Sequence, residues 1–225
     1  MFKQIFDVWK KENLLKQALQ STEKMFVIVS QNFDVASEQL IGRLDAKQDI
    51  YETDRQINEH EREVRRKVLE HLSINPKQDL SSSLILITVV KDLERMGDYI
   101  KNIFELSYHY SKPLPNNSYS EVLIDLTAQM SKVLKDSVRV FNNADKETAK
   151  EYYKFYRKVT EKTDHLIEAL LEEKEISVRE AVVYALFARY LKRIAAHLAN
   201  VLTTVINPFH QVGYGFDEYK TEEIQ

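Results

Sequence analysis

Glu94 and Asp98 stand four residues apart in the stretch 90–104, VKDLERMGDYIKNIF. A helix there stacks the two carboxylates one turn apart, in a row that Ile87 precedes and Asn102 continues. A second pair with the same spacing, Asp54 and Asn58, lies in YETDRQINEHE, with Glu61 a further turn along. Side-chain oxygens paired in this way on neighbouring helices are the raw material of carboxylate metal centres in helical bundles, and hard oxygen donors suit Mg, Mn, Ca or Fe. If the two rows face each other, Asp54, Asn58, Glu94 and Asp98 form an oxygen-rich cage; if they do not, they are a polar seam on a charged surface. Like charges at this spacing cost a helix about 0.2–0.5 kcal/mol, and more where they are buried, so the row calls for a cation or a donor between the acids. Gly97 adds about 1 kcal/mol of helix penalty relative to Ala. That predicts a close neighbour at its backbone.

Other chemistries lack their parts. The chain has no cysteine, which excludes disulfides and thiolate metal sites. No Glu-x-x-His pair, His-Glu-x-x-His motif or glycine-rich phosphate loop occurs, so di-iron oxidase, zinc protease and nucleotide hydrolase readings have nothing to stand on. No nucleophile or base accompanies the acids, and the expectation is a protein that is not an enzyme. With 32 basic against 35 acidic residues, the net charge of −3 gives no footprint for nucleic acid. The opening residues do not read as a signal peptide, which points to the cytoplasm.

The elements that must position these residues are helices. Only four Gly and four Pro punctuate 225 residues of which 44% are hydrophobic, so the fold class is all-α. Leu15, Leu19, Met25, Val29, Phe33, Ala36 and Leu40 mark a first helix over 12–43, and a second runs over 46–72 until Asn75-Pro76 breaks it. Asp79 and Ser81 to Ser83 offer cap chemistry for a third helix that reaches His109, with Leu86, Val89, Leu93, Met96, Ile100 and Ile103 on its core face. The segment 111–119, SKPLPNNSY, is the natural boundary. Three more helices follow over 121–141, 145–172 and 177–206, separated by an Asn142-Asn143 turn and ended by Asn207-Pro208. The last is apolar almost all round, but Arg189, Lys192, Arg193 and His197 interrupt it, so it reads as a central bundle helix and no membrane span is expected. Phe2, Ile5, Phe6 and Trp9 make the N-terminus amphipathic, which reads as a short segment capping the bundle, with a membrane-surface anchor as the alternative.

The two halves are related. A shift of 98 residues lays YLKRIAAH (190–197) over DLERMGDY (92–99), with Leu, Arg and the later Asn102 and Asn200 identical. The expected architecture is therefore two tandem antiparallel three-helix bundles: 1–110, then 119–207, with a C-terminal tail over 208–225.

The stretch DLERMGDYIKNI resembles the third-helix signature of the PhoU family of phosphate-uptake regulators, a two-repeat family. Asn75-Pro76 leading to Asp79-Leu80 is similar to the entry into that helix, and Asp54-x-x-Ile-Asn58 to the acidic motif of the helix before it. The resemblance covers about residues 12–207. It implies a regulator of phosphate transport and signalling that acts by docking on a phosphate transporter or a sensor kinase, and that binds a metal ion or cluster (Fe, Mn, Mg or Zn) through acidic motifs. A homodimer and a membrane-peripheral position are compatible with it. Carried onto this chain, the ligands are Asp54, Asn58, Glu94 and Asp98; an accessory subunit that binds no metal is the alternative. The second repeat departs from the pattern, with Lys192, Ala195 and Ala196 where the family has Glu, Gly and Asp. A metal ion beside Lys192 would meet about 4 kcal/mol of repulsion per unit charge at roughly 4 Å and an effective dielectric near 20, so no metal is expected in that half. Asp164 is the candidate partner for Lys192, and His197 reads as a packed core histidine.

Overall fold

The computed structural model describes residues 3–5, 7, 13–42, 49–74 and 79–215. Six long helices carry the described chain: α1 (Asn13–Ile41), α2 (Ile50–Ile74), α3 (Leu80–His109), α4 (Ser118–Asn143), α5 (Lys146–Glu172) and α6 (Val178–Ile206), followed by a 3-10 turn at Phe209–Gln211. There is no strand among the described residues. The all-α expectation, with two three-helix repeats, holds.

The apolar periodicity became packing as read. Leu86, Val89, Leu93, Met96, Ile100 and Ile103 on α3 are all fully buried, as are Leu15, Met25, Phe33, Ala36 and Leu40 on α1. α1, α2 and α3 pack on one another, and α5 packs on α6. The repeats also pack on each other: α3 lies antiparallel against α6 in a contact as broad as those within a repeat, and α1 lies antiparallel against α4 in a smaller one. Buried side chains of both halves consequently form one continuous core.

Local chemistry explains the helix ends. α4 begins three residues before the expected start because Asn117 caps it, accepting from the Ser120 N–H while Ser120 Oγ accepts from the Asn117 N–H. Ser177 and Glu180 form the same reciprocal box at α6, and Asp145 caps α5 through the Thr148 N–H. The turn expected at Asn142-Asn143 comes two residues late, at Ala144 in the left-handed conformation (φ 53°). Asp79, expected to cap α3 with its side chain, does not: it too is left-handed (φ 59°), and its carboxylate lies 3.4 Å from His71 Nε2 on α2.

The proline-rich connection is tied down on both sides. Gly42, left-handed at φ 84° after the last turn of α1, lies so close to Pro113 that a Cβ would be 2.6 Å from the proline Cα. Arg179 Nη2 donates to the His109 carbonyl at 2.6 Å, and Asn117 Nδ2 donates to the Tyr184 hydroxyl at 3.1 Å. At the N-terminus, Ile5 rests against the core. Phe2, Phe6 and Trp9, residues 43–48 with the expected start of the second helix, the expected break at Asn75-Pro76 and residues 216–225 lie outside the described residues. No helix among the described residues is long and apolar enough to cross a membrane.

Candidate functional site

α2 and α3 run antiparallel, and the two acidic rows do meet along their shared seam. Between them stand cations. Lys101 Nζ donates to Asp54 Oδ2 at 3.0 Å and lies 3.5 Å from Asp98 Oδ1, so one ammonium bridges an acid from each helix. One level along, Lys91 Nζ donates to Glu94 Oε2 at 2.7 Å and lies 3.8 Å from Glu61 Oε1. Arg95 reaches Asp98 Oδ2 at 3.5 Å and Glu94 Oε2 at 3.7 Å, and Arg65 reaches Glu61 Oε1 at 2.7 Å. Burial alone would push the Lys101 ammonium toward neutrality, but Asp54 and then Asp98 outweigh it, and its pKa rises above the ordinary lysine value.

Asp54, Glu94 and Asp98 therefore come to one seam without forming a cage. Asp54 and Asp98 share Lys101, Glu94 turns to Lys91, and Asn58 lines a shallow cleft of about 440 Å³ with Arg55, Glu59, Glu61 and Arg62. No three acids or histidines among the described residues are grouped so that they could hold a metal ion. As folded, the donor set does not fit the metal that the resemblance implies, because protein cations hold the positions between the acids. Gly97 does have a close neighbour, and it is apolar: a Cβ at this position would lie 3.0 Å from Ile57 Cδ1 on α2. The glycine is explained by helix packing.

The second repeat carries its own version. Lys192, at the place of Glu94, donates to both oxygens of Asp164 on α5 at 2.6 and 2.7 Å. Asp164 is the partner expected from the sequence.

A polar cluster at the α3/α6 contact was missed. Asp92, a buried carboxylate on α3, has Oδ1 2.8 Å from His197 Nδ1 and accepts from Asn200 Nδ2 at 3.1 Å. The His197 ring also stacks on Tyr99 with centroids 5.8 Å apart. His197 is thus more than a packed core residue. The signal lay in the repeat itself, since the 98-residue shift pairs Asp92 with Tyr190 and His197 with Tyr99, and an antiparallel crossing of the two equivalent helices brings these four together.

Comparison with known proteins gives this geometry its family. The PhoU domain matches twice, over residues 22–107 and 123–205. The chain is 30% identical over 191 residues to the phosphate-specific transport system accessory protein PhoU homolog 1 of Thermotoga maritima, a match spanning 81% of this chain and 82% of that one. It is 25% identical over 199 residues to the corresponding PhoU homolog of Synechocystis, covering 86% and 88% of the two chains. The crystal structure of PhoU from Pseudomonas aeruginosa superposes with a TM-score of 0.75 over 85% of this chain and 95% of that one; at 22% identity, this likeness speaks for the fold. With both repeats matched in a chain whose six helices follow the same plan, the protein belongs to the PhoU family.

Proposed function

We propose that the protein is an accessory regulator of phosphate transport, acting in the cytoplasm by docking on a phosphate transporter, on a sensor kinase, or on both. The observation that carries this reading is the double PhoU match, together with relatives named as accessory proteins of phosphate-specific transport systems. The family is regulatory and accessory rather than enzymatic. No described helix is suited to cross a membrane, so the protein meets a transporter as a separate partner. The reading needs no bound metal, because the rigid core and the surface it presents are built by side-chain packing and internal ion pairs.

The test is deletion of the gene in its own host, with phosphate uptake and phosphate-responsive gene expression measured at low and at high phosphate. The expected result is altered uptake or derepressed expression when phosphate is plentiful. Unchanged uptake and expression at both levels would remove the regulatory role.

A further inference from the structure

We infer that Lys101 and Lys91 are the resident cations of the α2/α3 seam, so that the first repeat holds its carboxylates with its own ammonium groups and takes up no divalent metal in their place. Four carboxylates meet in the seam, Asp54, Glu61, Glu94 and Asp98, and four cationic side chains reach them, Arg65, Lys91, Arg95 and Lys101. Charge is balanced before any ion is added. The decisive placement is that of the two lysines. Lys101 lies between Asp54 of α2 and Asp98 of α3, and Lys91 between Glu61 of α2 and Glu94 of α3, so each ammonium joins the two helices where a bridging metal would have to sit.

The second repeat shows the same solution in simpler form, a lysine of its third helix gripping both oxygens of Asp164 on its second. Lysine closure of the seam between the second and third helices is thus common to both halves. Gly97, the residue that could have signalled a ligand against the backbone, is accounted for by Ile57. A hard divalent ion needs six or more oxygens around it. To gather them here it would have to draw carboxylates from different levels of the seam together and expel an ammonium that already donates to one carboxylate and stands beside a second, Lys101 at 3.5 Å from Asp98 and Lys91 at 3.8 Å from Glu61.

The experiment uses the full chain and Mn²⁺ alone as the probe, followed by the electron paramagnetic resonance signal of the free aqueous ion, alongside elemental analysis of the protein as purified. Methionine at position 101 or 91 keeps the apolar stem and removes the charge. The wild type is expected to contain no stoichiometric transition metal and to leave the Mn²⁺ signal unchanged. Lys91→Met/Lys101→Met, checked for wild-type helicity by circular dichroism, is expected to bind Mn²⁺ stoichiometrically and to lose it when Asp98→Asn is added, and Lys101→Arg is expected to behave as the wild type. A wild type that carries stoichiometric metal, lost on Asp98→Asn, would overturn the inference without needing any lysine variant to fold. A folded double methionine variant that takes up no more Mn²⁺ than the wild type would overturn it as well, by showing that the lysines are not what excludes the ion. These outcomes concern the seam alone and leave the transport role to the uptake measurement.

Discussion

Asp92 on α3 and His197 on α6 meet at 2.8 Å across the contact between the repeats, and the equivalent positions, Tyr190 and Tyr99, meet as two rings with centroids 6.3 Å apart. One crossing point is polar and its counterpart aromatic. The duplication has thus diverged at the place where the halves join, and the join depends on a buried carboxylate whose partners all come from the other repeat.

Removing those partners therefore strands a charge. His197→Ala takes away one of the two partners and leaves Asp92 with Asn200 alone, and is expected to cost about 1.5–3 kcal/mol of stability, the worth of a hydrogen bond to a charged group. Denaturant unfolding of His197→Ala, Asp92→Ala and the double variant checks it, and a coupling of about 0.5–3 kcal/mol is expected between the two sites. Strict additivity would show that the contact is not formed.

A second prediction concerns pH. The Asp136 carboxyl is held below its ordinary value by the Arg139 guanidinium, against the opposing effect of burial and with help from the Tyr152 hydroxyl, while Tyr152 is pushed up to about 12 by burial and then by Asp136. Asp136 binds its proton more weakly in the folded than in the unfolded chain. Its contribution is therefore present above the unfolded carboxyl value and is lost as pH falls through the lower folded one. For Tyr152 the folded state favours the neutral phenol, so that contribution is whole below about pH 10, the unfolded value, and fades as pH rises toward the folded one. Phenolate absorbance of the wild type and Tyr152→Phe should differ by one group titrating near pH 12. A difference centred on the ordinary tyrosine value would contradict this.

Gly97 and Ile57 should behave as a unit. Gly97→Ala gains up to about 1 kcal/mol of helix propensity but brings a methyl against Ile57 Cδ1. Ile57→Val removes that atom. Alone it is expected to cost about 0.5–1.5 kcal/mol, and in the Gly97→Ala background less, or to become stabilising. Thermal melts of the three variants decide, and equal costs in both backgrounds would rule out the contact.

Leu93 and Leu191 are repeat equivalents, and both are fully buried in the common core. Each Leu→Ala change is expected to cost about 2–5 kcal/mol. The single Trp is at position 9, so tyrosine fluorescence and far-ultraviolet circular dichroism are the practical probes. Their transitions should stay coincident in both variants, because the buried side chains of the two halves form one continuous cluster. A Leu191→Ala protein that unfolds in two steps would refute the shared core.

Much of this was legible because helical periodicity states directly which face is buried. Leu86 to Ile103 on α3 needed nothing more, and the 98-residue shift identified the repeat. What the periodicity could not show was the direction in which long polar side chains extend. Glu94, Asp98 and Asp54 do meet on one seam, but Lys91 and Lys101, one turn to either side on the same helix, read as ordinary surface charge. Only the antiparallel setting of α2 beside α3 reveals that both reach inward across the helix pair. Asp92 stayed hidden for a related reason: its partners His197 and Asn200 lie more than a hundred residues away. The helix ends slipped where left-handed Asp79 and Ala144 replaced the expected caps and turns.

The packing of α3 on α6 and of α1 on α4 also sets an order of events at the ribosome. Residues 13–109 are synthesised before the helices that cover them, so a nascent chain carrying α1 to α3 holds an apolar face with no partner until most of α6 has emerged. Such a chain exposes apolar surface in the interval and is open to aggregation while it does. Stalled chains ending in the 110–117 connection should accordingly be cut by protease where the finished protein is resistant. Resistance at that length would mean that the first repeat completes itself alone.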